Sequence, residues 1–179
     1  MSHVNIEIKA RCPDLWRARE ILKQHKADFR GIDNQLDTYF PCKDGRLKLR
    51  EGNIENALIY YRRPDQSGPK QANVTLCRLH PDPVLRQVLS EALGVRVQVI
   101  KQREIYFIDH VKIHLDKVDP LGSFIEIEAL DLDGSIGRDR LMGQCRLWMD
   151  RFGIRSEDLI DRSYSDMIED LQRTTGNRS

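Results

Sequence analysis

Apolar and charged side chains alternate along much of the chain, the pattern expected of strands that are buried on one face. From Val111 to Asp116, in the stretch VKIHLD, every second residue is apolar and the residues between are polar or charged. Such segments, bounded by turn signals, predict eight strands, at residues 4–11, 35–40, 46–51, 57–63, 72–79, 95–108, 111–118 and 124–132. Because most of the connections are tight turns, we predict an antiparallel sheet.

Helical spacing of apolar residues predicts four helices between and after the strands. They cover residues 13–27, 84–93 and 138–152, with a last helix that begins at Ser163. Asp166 follows three residues later, the spacing of a capping box. We expect Trp16 and Trp148 to be core residues and residues 174–179 to form a frayed tail.

The chain has 179 residues, 40% hydrophobic and 32% charged, which is typical of a globular protein. This length fits one domain with a full hydrophobic core, or at most two small ones. We therefore predict a single α+β domain over residues 1–179, with its core at residues 4–171.

Charge and cysteine content narrow the class of protein. Lysine and arginine number 29 against 28 acidic residues, so the net charge is +1 and no overall basic field predicts nucleic-acid binding. The four cysteines lack metal-binding spacing and are expected to be reduced. No apolar run approaches the roughly 20 residues that span a membrane, and the first residues lack a signal-peptide core. We expect a cytoplasmic protein without nucleic-acid or membrane partners.

An eight-stranded sheet can close into a barrel, and its ionic faces would then meet in one interior. Strand alternation assigns to that interior the cations Lys9, Arg46, Lys48, Arg50, either Arg62 or Arg63, Lys101 and Arg103, and the anions Glu7, Asp116, Glu126 and Glu128. Because the cations outnumber the anions, a polyphosphate is the ligand that matches this interior. Carboxylates beside phosphate then indicate a bridging divalent cation, Mg2+ or Mn2+.

Several blocks of sequence resemble, in order, those of the CYTH superfamily, the triphosphate tunnel metalloenzymes. The family's ExExK signature corresponds to residues 5–9, NIEIK. The later blocks are DTYF (37–40), RLKLRE (46–51), RRPD (62–65), KQRE (101–104), HLDKVDPLGSFIEIE (114–128) and SYSDM (163–167). The resemblance covers residues 4–171 and is greatest to the CyaB-like class IV adenylyl cyclases.

This resemblance implies a closed tunnel of eight antiparallel strands, flanked by helices, that holds a triphosphate and Mg2+ or Mn2+. The phosphate-binding residues it implies are Lys9, Lys48, Arg50, Arg62 or Arg63, Lys101 and Arg103. The metal ligands it implies are Glu7, Glu126 and Glu128, with Asn5 at the remaining signature position, and the candidate catalytic residues are Glu7, Lys101 and Asp116. A homodimer is compatible with this picture.

The chain departs from the signature at Asn5, where the family has a carboxylate. An amide oxygen can coordinate a hard metal ion but brings no charge. Three functions therefore stay open. They are an adenylyl cyclase, in which the ATP 3′-hydroxyl attacks the α-phosphorus; a hydrolase of inorganic or thiamine triphosphate; and a polyphosphate- or nucleotide-binding protein that has lost turnover. The cyclase is favoured because the blocks in residues 95–128 are most similar to CyaB proteins.

Overall fold

The structure, a computed structural model, describes residues 2–176, which form eight strands, four α-helices and one short 3-10 helix (Ser156–Asp158). The strands are β1 (Ser2–Arg11), β2 (Asp28–Phe40), β3 (Arg46–Glu51), β4 (Ala57–Arg62), β5 (Lys70–Arg78), β6 (Val97–Ile108), β7 (Val111–Asp119) and β8 (Gly122–Asp131). The helices are α1 (Leu15–Gln24), α2 (Pro83–Leu93), α3 (Arg138–Phe152) and α4 (Tyr164–Gly176).

Each strand pairs antiparallel with both of its neighbours, and together they close into one barrel with the order β1-β5-β4-β3-β2-β6-β7-β8. The prediction of a closed eight-stranded antiparallel barrel flanked by helices is confirmed. Because side chains alternate across a strand, closure separates an outer face from an inner one. On β1, Ile6 and Ile8 pack in the outer hydrophobic core, whereas Glu7 and Lys9 point into the barrel.

The barrel has two different ends, which we call the mouth and the floor. The mouth is the end that carries loop 52–56 between β3 and β4 and turn 109–110 between β6 and β7. Asn53 and Ile54 are exposed and line the interior cavity there, so the cavity opens at the mouth. The floor is the opposite end, where Ser163 and Tyr164 are buried and also line the cavity.

The larger hydrophobic core lies outside the barrel, where α1 and α3 cover β1, β7 and β8. Its strand residues include Ile6, Ile8, Ile113, Ile125 and Ile127. Trp148 is buried in this core, as predicted, but Trp16 is 67% exposed and that prediction was wrong. Trp16 lies beside the stripe of Leu15, Ala18 and Leu22 that faces the barrel, so helical periodicity turns it to solvent.

Helix α4 is fixed at the floor by ion pairs and by its own cap. Arg46 and Arg96 both reach Asp166, at 2.8 and 3.2 Å. The predicted capping box is present, because the Asp166 N–H donates to Ser163 Oγ and the Ser163 N–H donates to the Asp166 carboxylate. The first helical residue, Tyr164, is thereby held inside the barrel.

The largest departure from the predicted elements is in β2, which begins at Asp28 rather than at residue 35. Phe29 and Ile32 in its first half are exposed, so this part lacks the apolar alternation that marks a half-buried strand. A register shift after Phe29 also interrupts the alternation of inward and outward side chains. Helix α1 correspondingly ends at residue 24 rather than 27.

At the other end of the chain, α4 continues to Gly176, into the segment predicted as a tail. Residues 177–179 of that prediction lie outside the described residues. None of the described helices is both long and apolar enough to cross a membrane.

Candidate functional site

The barrel encloses a cavity of about 750 Å³, a size that suits a nucleotide-sized ligand. Among the described residues, its wall carries the basic side chains of Lys9, Lys48, Arg50, Arg63, Arg78, Lys101, Arg103 and Lys112 and the carboxylates of Glu7, Glu55, Glu126 and Glu128. Two more carboxylates, Asp37 and Asp116, are buried behind the wall. Basic groups therefore outnumber acidic ones in the interior.

Asp37 on β2 neutralises three cations of the wall at once. It accepts hydrogen bonds from Lys48 Nζ at 2.9 Å, Lys101 Nζ at 2.6 Å and Arg50 Nε at 2.9 Å. Burial alone would raise the pKa of Asp37, but the three cations, Arg50 foremost, hold that pKa well below its ordinary value. The prediction missed Asp37, although it lies two residues before Tyr39, which faces the cavity, so alternation along β2 could have found it.

Lys101 on β6 lies deep in the barrel beside that carboxylate. Burial lowers the pKa of Lys101 to about 7, and Asp37 partly opposes the effect. Its Nζ also lies 5.9 Å from the centre of the Tyr164 ring. A phosphate anion beside this amine would favour the protonated form and raise its pKa.

A second charged cluster is centred on Glu126 of β8. Its Oε1 lies 3.1 Å from Lys9 Nζ, and its Oε2 lies 2.6 Å from Arg103 Nη2. Arg103 also donates to both oxygens of Asp116, at 2.7 and 2.6 Å. The Tyr164 hydroxyl donates to Asp116 at 2.8 Å, and Lys9 Nζ lies 3.6 Å from the centre of the Tyr164 ring. Helix α4 thus contacts the charged cluster of the wall through Tyr164.

His114, Glu126 and Glu128 form a group that could hold a metal ion, because their ligand atoms all lie within 4.8 Å of one another. Burial, supported by Glu126 and Glu7, raises the pKa of Glu128 to about 7, as expected where buried carboxylates crowd together. Burial also lowers the pKa of His114 to about 3, so its imidazole is neutral, the form that binds metals. These residues fit a divalent cation.

Asn5 and Glu7, the other predicted metal ligands, lie on the adjoining strand. Glu7 is directly opposite Glu128, and Asn5 is opposite Leu130, one step nearer the mouth. Glu7 Oε1 also lies 2.9 Å from Arg63 Nη1. The Asn5 side chain lines the cavity at 4% exposure, and its Oδ1 has no hydrogen-bond partner within residues 2–176. A buried unpaired oxygen beside carboxylates suits a metal ligand.

Loop 52–56 places another carboxylate at the mouth. Glu55 accepts hydrogen bonds from Arg50 at 2.9 Å and from Lys112, so it joins β3 and β7, which are not neighbours in the barrel. Asp33 fixes the loop by accepting from the backbone N–H groups of Ile54 and Glu55 at 2.8 and 2.9 Å. Glu55 was not predicted, because strand alternation says nothing about a loop residue.

Most of the predicted site residues line the one cavity, and three do not. Those on the wall are Asn5, Glu7, Lys9, Lys48, Arg50, Arg63, Lys101, Arg103, Glu126 and Glu128. Arg46, predicted to face the interior, instead pairs with Asp65 and Asp166 at the floor. Arg62 is exposed outside the barrel and donates to the Tyr60 hydroxyl, so its predicted place in the tunnel was wrong, and Arg63 is the arginine of this pair that lines the cavity. Asp116 lies behind the wall, with both oxygens occupied by Arg103 and Tyr164, so it supports the site rather than facing a substrate.

The wall changes character from mouth to floor. Near the mouth, Leu130 lines the cavity opposite Asn5, and Phe107 lines it opposite Lys112, which binds Glu55. Along β1 the inward side chains are Asn5, Glu7 and then Lys9, which reaches Tyr164 at the floor. A strand rises by about 3.3 Å per residue, so these three side chains span about 13 Å along the strand, which is about 10 Å along the axis of a barrel whose strands tilt by about 40°. The order is therefore a mouth that mixes apolar and charged side chains, then a carboxylate level and then a lysine level.

Comparison with known proteins gives a family and several related folds. The CYTH domain model matches residues 3–164, whereas no curated protein matches the chain. A protein from Pyrococcus horikoshii is 20% identical with a TM-score of 0.75, over 90% of this chain and 98% of its own. A candidate adenylate cyclase from Vibrio parahaemolyticus is 17% identical with a TM-score of 0.76, and the match covers 94% of this chain and 99% of that one. A candidate adenylyl cyclase from Hippeastrum with a dominant triphosphatase activity is 17% identical with a TM-score of 0.56, and the match covers 92% of this chain and 93% of that one.

The closed barrel, its charged interior and this match define one class of protein, the triphosphate tunnel fold. The chain belongs to the CYTH domain family. The resemblance seen in the sequence blocks is confirmed, and identities of 17–20% to the solved structures show a shared fold.

Proposed function

We propose that the protein binds a nucleoside triphosphate and a divalent metal ion in its tunnel and forms a cyclic nucleotide and pyrophosphate, as a class IV adenylyl cyclase does with ATP. The order of side chains from mouth to floor carries this proposal. A mouth with apolar side chains among charged ones, a carboxylate level and a lysine level correspond to the order of nucleoside, α-phosphate and terminal phosphates in such a substrate.

Entry with the phosphates first follows from the closed floor. Tyr164 and Ser163 occupy that end of the cavity and are buried. Lys48 and Lys101 share the single carboxylate of Asp37, so an arriving phosphate gains two ammonium contacts while Asp37 still offsets part of their charge. The nucleoside then stays at the mouth, near Phe107, where aromatic and apolar surface is present.

Bond formation between the ribose 3′-oxygen and the α-phosphorus releases pyrophosphate toward the floor. The negative charge that develops there meets Lys48, Lys101 and Arg50, which Asp37 holds in fixed positions. Cations that are already in place stabilise such charge without rearranging in the reaction. The proton of the 3′-hydroxyl needs an acceptor at the level of the α-phosphate, and Glu7 lies at that level.

The carboxylates of Glu7, Glu126 and Glu128 would hold the metal ion, which when bound supplies positive charge beside the α-phosphate. The chain itself keeps these carboxylates together despite their mutual repulsion. Lys9 and Arg103 neutralise Glu126, and Arg63 neutralises Glu7.

Two other functions remain candidates. Triphosphate hydrolysis would use the same cationic wall with water attacking the terminal phosphorus. It is favoured by the dominant triphosphatase activity of the Hippeastrum protein, which shares this fold. Binding without turnover is favoured by Asn5, where the signature has a carboxylate, and in that case Asn5→Glu should restore activity.

Product analysis over a panel of substrates separates the three functions. The protein is incubated with ATP, other nucleoside triphosphates, inorganic triphosphate and thiamine triphosphate, each with Mg2+ or Mn2+. Equimolar cyclic nucleotide and pyrophosphate support the cyclase, whereas orthophosphate and a diphosphate support the hydrolase. Binding without products supports the third function, and neither binding nor turnover would contradict all three.

Adjacent arginines provide a matched pair for the binding site. Arg63→Gln should weaken triphosphate binding by about tenfold or more, because a hydrogen bond to a charged group contributes about 1.5–3 kcal/mol. Arg62→Gln should leave affinity unchanged, since Arg62 lies outside the barrel. Calorimetric titration measures both, and equal effects would contradict binding in the tunnel.

A further inference from the structure

His114 on β7 is a potential metal ligand that is not an oxygen. Its side chain is 1% exposed and lines the cavity. Neither ring nitrogen makes a hydrogen bond to any other residue in the described part of the chain. Buried polar side chains are normally paired, so an unpaired imidazole on a cavity wall indicates a ligand.

The Nδ1 atom of His114 faces two carboxylates. It lies 3.5 Å from Glu126 Oε2 and 3.7 Å from Glu128 Oε1. Atoms that bind one ion with bonds of about 2.0–2.2 Å lie roughly 3–4 Å apart, so the spacing fits coordination of a shared ion. Strand register creates this arrangement, because His114 is directly opposite Glu126 and two residues from the position opposite Glu128.

The two carboxylates differ in how firmly neighbouring residues hold them. Glu126 is fixed by Lys9 and Arg103. Glu128 makes no hydrogen bond to another described residue, and the neutral His114 approaches its Oε1 with Nδ1 at 3.7 Å. The wall thus offers one fixed oxygen ligand, one adjustable oxygen ligand and one nitrogen ligand.

A nitrogen ligand changes which ion such a site prefers. Mg2+ favours oxygen ligands and keeps several waters, whereas imidazole suits transition metals. We infer that His114 is a metal ligand through Nδ1 and that, together with Glu126 and Glu128, it makes the site bind Mn2+ in preference to Mg2+. This inference deepens the proposed function, which needs a metal at this level, but metal binding itself requires no triphosphate.

The test uses Mn2+ alone, observed by pulsed electron paramagnetic resonance. Wild-type protein should show a 14N coupling to Mn2+ that becomes a 15N coupling when histidine is labelled with 15N. His114→Asn places an amide oxygen near the position of Nδ1, so the coupling should disappear. Mn2+ affinity should fall by about tenfold or more, because even loss of an outer-shell partner costs that much. Competition by Mg2+ should become correspondingly stronger.

His80→Asn is the matched control, since His80 lines the mouth of the same cavity but is exposed. It should keep both the nitrogen coupling and the Mn2+ affinity. The labelled wild type tests the nitrogen ligand even if His114→Asn does not fold. No nitrogen coupling in the wild type, a coupling that survives in His114→Asn, or equal affinity for Mg2+ and Mn2+ would overturn the inference. A protein that shows the coupling but forms no product would instead overturn the proposed function.

Discussion

Asp37 and Glu128 are both carboxylates in a buried environment, and their neighbours give them opposite properties. Three cations hold the pKa of Asp37 far below its ordinary value against the effect of burial. Burial and nearby carboxylates raise the pKa of Glu128 to about 7. Asp37 therefore acts as a structural counter-ion, whereas Glu128 is a destabilised charge that a bound cation would relieve.

Glu128→Gln should separate stability from metal binding. At pH 8, above its raised pKa, Glu128 is ionised in the folded and the unfolded protein, and its repulsion lowers the free energy of unfolding. The amide removes this repulsion, so the melting temperature should stay the same or rise while Mn2+ affinity falls by about tenfold or more.

Glu126→Gln is the matched control for that variant. This substitution removes the negative charge that pairs with Lys9 and Arg103, and breaking a buried ion pair lowers the free energy of unfolding by about 3 kcal/mol or more. Thermal unfolding without metal compares the two variants. A greater loss of stability in Glu128→Gln than in Glu126→Gln would contradict this view of the site.

Lys101 should make triphosphate affinity depend on pH. With a pKa of about 7, its amine is mostly neutral above pH 7 in the free protein, and binding of an anion takes up a proton there. Affinity should therefore fall as pH rises, by up to about tenfold per pH unit. Lys101→Arg stays charged and should lack this part of the slope. Titrations with a non-hydrolysable analogue measure both slopes, and equal slopes would contradict the assignment.

Local pattern predicts many of the wall residues because a strand's own backbone sets the direction of its side chains. Lys9 and Arg103 were found in this way, and the phase of β4 now selects Arg63 over Arg62. Tyr164 comes from a helix outside the barrel, and its place on the floor depends on tertiary contacts. No local pattern in the sequence places Tyr164 on the floor, because strand alternation does not extend to a helix.

At the scale of elements, loop 52–56 shows how a buried side chain shapes the mouth. Asp33 accepts from two backbone N–H groups of the loop and so positions Glu55 between Arg50 and Lys112. The loop lies so close to the Asp33 side chain that a Cβ at Gly52 would be 2.5 Å from Asp33 Oδ1. Only glycine fits at this position without a shift of the loop.

Gly52→Ala should therefore destabilise the protein by about 1–3 kcal/mol, the usual range for overpacking. Gly143→Ala is the matched control, because a Cβ at this position in α3 would meet nothing within 4 Å. That variant should gain about 0.5–1 kcal/mol from better helix propensity. Chemical denaturation measures both, and a Gly52→Ala variant as stable as the wild type would show that the loop is not held by Asp33.

Elements with a clear apolar alternation, such as β7, are predictable, whereas the first half of β2 is not. That half of β2 runs along β6, yet it exposes Phe29 and Ile32. Its pairing stabilises it through backbone hydrogen bonds, which do not depend on side-chain type. The sequence therefore contains little that distinguishes it from a loop.

At the scale of the whole molecule, closure of the barrel is indicated by the ionic face that most of the strands carry. Charges of both signs on so many strands can pair with one another only if those faces meet in one interior. The distinction between mouth and floor could not be predicted, because it depends on where α4 packs. Arg46 and Arg96 determine that position through Asp166, far away in the sequence.

The most direct test is a crystal structure of the protein with Mn2+ and the non-hydrolysable substrate analogue α,β-methylene-ATP. The terminal phosphates should lie against Lys9, Lys48 and Lys101, with the α-phosphate at the level of Glu128 and the nucleoside at the mouth. A triphosphate bound outside the barrel, or a nucleoside at the floor beside Tyr164, would contradict the central claim that this tunnel holds a metal-bound triphosphate with its phosphates inward.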